Sequence, residues 1–319
     1  MVQKIQRMQL ILGTHNLDRV QNQLAKGCVL SIGNFDGVHV GHQQILKAVV
    51  AQAHALNLPS VVMLFEPLPV EFFSPQAAPV RLMNFREKVK ALQGTGIDYL
   101  LCVRFNGAFA QLSAEQFVIS ILVKQLHIKH LVVGDDFRFG LQRQGDFNSL
   151  TQAGHRLGFS VTDMPTFDVA GKRVSSTRIR EALNVPDLDA ARLLLGKPFC
   201  FNGRVIHGQK LGRTLGFRTL NLNPKRIQMP VQGVFAVTVN GLASRPWEGV
   251  ANIGLRPTVD GLRPSIEVHL FHWDKDVYGA HVEVTLKKFI RPEQKFTDIE
   301  ALKTQISLDA EQAKQFFKF

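Results

Sequence analysis

Cysteine is scarce in this sequence: Cys28, Cys102 and Cys200 lie far apart, with no Cys-x-x-Cys pair. That spacing excludes a disulfide framework and a multi-cysteine zinc site, and it suits a reducing compartment, so a cytoplasmic protein is expected. No apolar run approaches the roughly 20 residues a membrane span needs. The opening stretch, Met1 to Gly13, holds Lys4 and Arg7 but has too short an apolar run and no small-residue cleavage site for a secretory leader. There is also no nucleophile elbow and no basic tail or lysine run. Basic residues exceed acidic ones, giving a net charge of +12. The excess is diffuse, because the parts before and after residue 186 each carry 19 basic and 13 acidic side chains. Such a balance fits phosphorylated small molecules at least as well as a polynucleotide.

What is present is a globular composition, 45% apolar and 20% charged, over 319 residues. That length favours two domains. Up to about residue 165, short apolar runs (28–32, 61–65, 99–103, 130–133) alternate with helical stretches (41–56, 85–92, 113–126, 149–157). Nearly continuous apolar strands between helices predict a parallel sheet covered on both faces. Ser113 and Gln116 predict a capping box. After two short helices at 176–183 and 188–195, six strands follow closely, at 203–206, 218–222, 233–239, 249–253, 265–271 and 281–289. Their period-two alternation predicts a small antiparallel barrel, and a helix from about Asp298 closes the chain. The boundary is placed near residue 186, giving domains 1–186 and 187–319.

The first chemical constellation lies between the first strand and first helix. Gly33 and Gly37, flanking Asn34, Phe35 and Asp36, let the backbone turn sharply against a ligand. The helix that follows aims its unpaired N–H groups at the turn, and His39 and His42 share one side of its first turn. Two imidazoles over a helix N-terminus can donate hydrogen bonds to charge developing on a phosphoryl group. Ser175, Ser176 and Thr177, beside Arg178 and Arg180, open another helix and suit phosphate oxygens, though an ordinary N-cap reads the same way. Asp135 and Asp136, with Phe137 and Phe139, could hold a planar ring, or could form an acidic turn over core aromatics.

A second constellation runs from Gly203 to Asn221. Gly203, His207, Gly208, Gly212, Arg213, Gly216 and Phe217 form a strand and loop able to wrap polyphosphate. Thr219 and Asn221 face one side of the next strand, where their oxygens can ligate Mg²⁺. Glu267 and His269 share a strand face opposite Ile266, Val268 and Leu270. A carboxylate there could take a proton from an attacking alcohol, or could simply be solvated.

These stretches resemble bacterial bifunctional riboflavin kinase/FAD synthetases. GNFDGVHVGH, VVGDDFRFG and VSSTRIR match the adenylyltransferase module, and HGxxxGRxLGF, GVFAV, NIGxRPTV, EVHLF, VYG and IRPEQKF match the riboflavin kinase module, each set in order. The resemblance implies a Rossmann-like nucleotidyltransferase domain followed by a riboflavin kinase-like barrel. It implies that His39 and His42 act on ATP phosphates, that residues 33–37 line the nucleotide, and that Ser175 to Arg180 bind phosphate. It further implies that Asp136 lies on the flavin side, that the 203–216 loop receives ATP, that Thr219 and Asn221 hold Mg²⁺, that Glu267 is the base, and that Arg291 sits near the flavin. Riboflavin, FMN and ATP are then the partners, with no nucleic acid and no membrane, and FAD the final product. The chain departs from the family motifs at Leu68, where histidine is usual, and at Arg218 and Leu220, where the metal motif has proline and alanine. Two alternatives stay open: an FMN adenylyltransferase with an impaired kinase domain, and a non-catalytic nucleic-acid-binding barrel.

Overall fold

The computed structural model describes residues 8–208, 216–258 and 261–318. The chain divides into two compact units, one of residues 1–79 and 88–174, the other of residues 80–87 and 175–319.

The first unit is built on six parallel strands in the order β1-β4-β3-β2-β5-β6. These are β1 (Gln9–Leu12), β2 (Cys28–Ile32), β3 (Ser60–Glu66), β4 (Tyr99–Arg104), β5 (Ile128–Gly134) and β6 (Ser160–Met164). All five residues of β2 are buried, as expected for a strand covered on both faces. One core joins Leu30, Ile32, Met63, Leu101 and Leu131 to Val118, Leu122 and Leu150 from the helical layers. From β2 the chain steps to β3 on one side and returns to β5 on the other, so the strand order reverses at β2. Ligands collect at such a reversal, outside the carboxyl ends of the strands.

The helix Val40–Leu56 ends at Asn57, in the left-handed conformation (φ 51°). Ser113 and Gln116 form the expected capping box. The single helix expected over 113–126 is instead an α-helical turn, Ala114–Phe117, followed by a π-helix, Val118–Val123. The N–H groups of Lys124 and Leu126 donate to the carbonyls of Ile119 and Ile121, five residues back. Periodicity alone also missed β1, β6 and the two-residue strands β7 (Asp168–Val169) and β8 (Lys172–Arg173).

The second unit carries the expected barrel, closed in the order β10-β13-β12-β11-β14-β9. Its strands are β9 (Cys200–Ile206), β10 (Thr219–Leu222), β11 (Gly233–Asn240), β12 (Trp247–Thr258), β13 (Gly261–Leu270) and β14 (His281–Arg291), and each pairing is antiparallel. Ile266, Val268 and Leu270 fill the interior. The closing helix Ile299–Phe317 is capped by Asp298 and lays Ala310 and Ala313 on Val234, Ala236 and Val250. Arg291 fastens it: Nε and Nη2 donate to the two oxygens of Asp309 at 2.8 and 2.7 Å.

The segment Val80–Glu87 belongs to this unit through a buried ion pair. The Arg226 guanidinium donates to Glu87 Oε2 at 2.6 Å, and the side chains are 1% and 3% exposed. The Asn202 N–H donates to Glu87 Oε1, and Arg226 also caps the Leu82 carbonyl and lies over the Phe201 ring. Burial pushes the Glu87 carboxyl up, while Arg226 and the backbone N–H groups of Asn202 and Asn84 pull it back.

Candidate functional site

In the first unit the segment after β2 turns through left-handed backbone at Phe35 (φ 46°), Gly37 (φ 86°) and Val38 (φ 42°). For β-branched Val38 this conformation is strained, the kind of strain a ligand-gripping turn stores. Gly33 packs where any Cβ would press within 3.1 Å of the Phe35 ring. Asp36 and His39 are both buried.

His39 is the N-cap of the helix: its Nδ1 accepts the His42 N–H at 3.2 Å. With Nδ1 accepting, the ring's remaining nitrogen, Nε2, carries the proton of a neutral imidazole. The His39 and His42 rings stack 3.6 Å apart at 13°, and Phe35 tilts against His42. Gly41 lets this happen, since a Cβ there would stand 3.3 Å from the His39 ring. Burial, then His39, then the Lys88 ammonium hold the His42 pKa well below the ordinary imidazole range. Its Nδ1 is buried with no hydrogen-bond partner. A polar atom left in that state marks a site shaped for something else to complete.

Lys88 was not singled out by sequence reasoning. It is fully buried, and its ammonium donates to the Asn34 carbonyl at 2.7 Å. Lysine is almost never so buried without a purpose for its charge, but from sequence alone Lys88 is one of two lysines on the amphipathic helix Phe85–Gln93. A cluster of phenylalanines was also missed. Phe65 at the end of β3 meets Phe105 and Phe109, and Phe72 and Phe73 stack edge-on against Phe105. Phe73 is 64% exposed, which is unusual for a large ring with nothing to cover. The adjacency of Phe72 and Phe73 was the signal available in the sequence.

Asp136, expected beside the flavin, accepts a 2.7 Å ion pair from Arg173 of β8. Its neighbour Asp135 accepts from the Thr166 hydroxyl at 2.6 Å. Phe137 and Phe139 stack on one another, and Phe139 belongs to the core. Leu68 is buried and opens a short helix, Pro69–Phe73.

In the second unit Ser175 caps the helix Ser176–Asn184 by accepting the Arg178 N–H. The Arg180 Nε donates to the Val80 carbonyl at 2.6 Å.

On the barrel, Asn221 stands opposite Glu267 and Thr219 opposite His269 in the antiparallel register of β10 and β13. Directly opposed residues share a sheet face, so all four lie on the outer side, away from the apolar interior. Gly203 packs on Leu222, and Gly208 comes so close to the Asn221 carboxamide that a Cβ would displace it. The His207 ring lies 3.8 Å from that of Tyr278, and Phe217 meets His269 edge-on at 5.2 Å. A cleft opens here, lined by Gly208, Thr219, Asn221, Trp273, Lys275 and Tyr278 among others. Gly212 and Arg213 lie outside the described residues; Gly216 has a φ of 87°.

Burial pushes the Glu267 carboxyl up, Arg256 pulls it down, and Glu293 raises it further. Glu293 occupies the space a Cβ on Gly254 would need and accepts from Asn252 Nδ2 at 3.2 Å. Asn252 is itself the β12 partner of Glu267. The Arg291 guanidinium, expected near the flavin, is engaged by Asp309 and by the Pro292 carbonyl.

The FAD synthetase family matches residues 21–178, and the riboflavin kinase family matches residues 195–317. The bifunctional riboflavin kinase/FMN adenylyltransferase of Escherichia coli is 50% identical over 97% of this chain and 98% of its own length. The chain belongs to the bifunctional riboflavin kinase/FMN adenylyltransferase family. The relative from Haemophilus influenzae is 48% identical over 97% of this chain and 99% of its own. A crystal structure from Streptococcus pneumoniae, described as a macrolide-efflux protein, covers 96% of this chain and 98% of its own at 29% identity and a TM-score of 0.77. Among the described residues of this family member, no helix is long and apolar enough to cross a membrane.

Proposed function

We propose that this chain makes flavin nucleotides in two ATP-dependent transfers: riboflavin to FMN on the barrel, and FMN to FAD on the parallel-sheet module. The catalytic modules are assigned to residues 187–319 and 1–186, and both steps to the cytoplasm. The observation that carries the reading is the register placing Asn221 opposite Glu267 on one outer face of the barrel.

In the first transfer Glu267 accepts the proton of the riboflavin 5′-hydroxyl as its oxygen attacks the γ-phosphorus; the bond to the β,γ-bridging oxygen breaks and ADP leaves. Burial raises the Glu267 pKa, which makes its carboxylate a better proton acceptor than an exposed glutamate. Thr219 and Asn221 offer neutral hard oxygen donors on one face, a set that would suit Mg²⁺. When bound, Mg²⁺ supplies charge neutralisation at the phosphates. The cleft lined by Gly208, Asn221 and Tyr278, with His207 against the Tyr278 ring, is assigned to ATP. Arg291 holds the closing helix and positions the flavin end through it.

In the second transfer an FMN phosphate oxygen attacks the α-phosphorus of ATP, and the bond to the α,β-bridging oxygen breaks to release pyrophosphate. No side-chain nucleophile is required, because the FMN phosphate is already ionised. The protonated Nε2 of His39, the ring of His42 and the helix N-terminus stabilise the charge that develops. Residues 33–37 line this nucleotide, with Lys88 fixing the Asn34 carbonyl. Asp136 is kept as a flavin-side candidate; Ser175, Ser176 and Thr177, which belong to the other unit, are kept as phosphate-binding candidates on the resemblance alone. The exposed rings of Phe72 and Phe73 offer a face for the flavin.

Purified protein given riboflavin and MgATP should yield FMN and then FAD, and neither product appearing would overturn this function. Glu267→Ala should stop FMN formation while sparing conversion of supplied FMN to FAD, and His42→Ala the reverse. Loss of both steps in either variant contradicts separate sites.

A further inference from the structure

The loop between β13 and β14 forms one wall of the barrel cleft through Trp273, Lys275 and Tyr278. Both of its ends are held by backbone. The Phe271 N–H donates to the Glu248 carbonyl at one end, and Gly279 and Val205 exchange bonds with Val205 and Ala280 carbonyls at the other. Between those anchors stands Arg218, exposed and next to Thr219 on the opposite wall. Its Nη1 donates to the Asp274 carbonyl in the middle of the loop. Its own carbonyl pairs at 2.9 Å with Nδ1 of His269, the residue opposite Thr219. One residue thus ties the far wall to the strand carrying the candidate metal ligands, at the point where those ligands begin.

We propose that Arg218 is a positioning residue for nucleotide binding on the barrel: it holds the 272–278 loop closed to its working distance before ATP arrives. This rests on the reading of the cleft as the ATP site of riboflavin phosphorylation. A loop already ordered by a side chain loses less freedom on binding, so the effect falls on nucleotide affinity rather than on the chemical step. Arginine suits the task because its guanidinium reaches a backbone carbonyl with a charged donor while its remaining N–H groups stay available to solvent or phosphate.

The test uses a signal confined to this unit. The protein has two tryptophans, Trp247 and Trp273, both in the barrel unit and with rings 4.8 Å apart, so quenching of their fluorescence by MgADP reports this cleft and not the other nucleotide site. Arg218→Ala is expected to raise the MgADP Kd about tenfold, the scale of one charge-assisted hydrogen bond. The KM for ATP in riboflavin phosphorylation should rise alongside it with kcat within about twofold of the parent, and FMN adenylylation by the same molecule should be unchanged. Arg218→Lys, which keeps one charged donor on a different geometry, should raise the Kd only about two- to threefold. An unchanged Kd in Arg218→Ala, or a fall in kcat with KM unmoved, overturns the proposal. Should that variant fail to fold, a parent-like Kd in Arg218→Lys overturns it equally. If the parent chain itself shows neither quenching by MgADP nor FMN formation, the assignment of the cleft falls, and the role of Arg218 with it.

Discussion

The Asn221 carboxamide fills the volume that a Cβ on Gly208 would need. That approach makes Gly208 part of the seat for a candidate metal ligand, not a hinge, since its φ is not in the left-handed range. Gly208→Ala is therefore expected to push Asn221 away from Thr219. FMN formation should fall at least about tenfold, in line with the loss of a positioned ligand's contribution, while FMN adenylylation stays at the parent rate. Product assays from riboflavin and from FMN separate the two.

His39 combines two tasks, capping a helix and facing the phosphates, and two substitutions pull them apart. Asparagine is a good N-cap, so His39→Asn should keep the stability of the unit within about 0.5 kcal/mol yet lower FAD formation from FMN at least about tenfold. His39→Ala should lose the cap as well, costing about 1 kcal/mol in denaturant unfolding. Equal FAD formation in His39→Asn and the parent would show that the ring only caps.

Riboflavin phosphorylation should lose activity in acid as Glu267 takes up a proton, with a midpoint above that of an ordinary glutamate because burial raises its pKa. Glu293→Gln removes a neighbouring negative charge, which favours the ionised base, so the midpoint should move to lower pH. Arg256→Ala removes a stabilising positive charge, so it should move to higher pH. The pH profile of kcat/KM for the kinase step measures both shifts.

Arg226 and Glu87 are buried together, and breaking the pair from one side leaves a charge without its partner. Arg226→Ala should cost about 3–5 kcal/mol, read as a lower urea midpoint of the barrel unit. Combining Glu87→Gln with Arg226→Met should recover much of that loss, because no ion then needs a counter-charge.

Much of the fold was legible because strands buried on both faces and strands with one wet face leave different patterns. The run Val29-Leu-Ser-Ile32 announces a central parallel strand, and the alternation of Ile266, Val268 and Leu270 with Glu267 and His269 announces a barrel wall. β1 was illegible because it is four residues at a sheet edge, with Leu10 and Leu12 exposed, and only its pairing with β4 makes it a strand. The switch to π-helical bonding after Phe117 was illegible too, since the apolar spacing of 113–126 serves either geometry.

The candidate sites divide the same way. Which chemistries were available was readable along the chain: the glycine turn before His39 and His42, the alternating oxygens of Thr219 and Asn221, and the strand carboxylate of Glu267 all follow from short-range spacing, which backbone geometry converts directly into shared faces. What surrounds them depends on how the chain packs in three dimensions. That packing buried Lys88 beneath a carbonyl 54 residues away, folded Glu293 into the space left by Gly254, and turned Arg218 toward Asp274. Those contacts join residues far apart in the chain, where no local periodicity constrains the partner and the packing of whole strands and loops makes the choice.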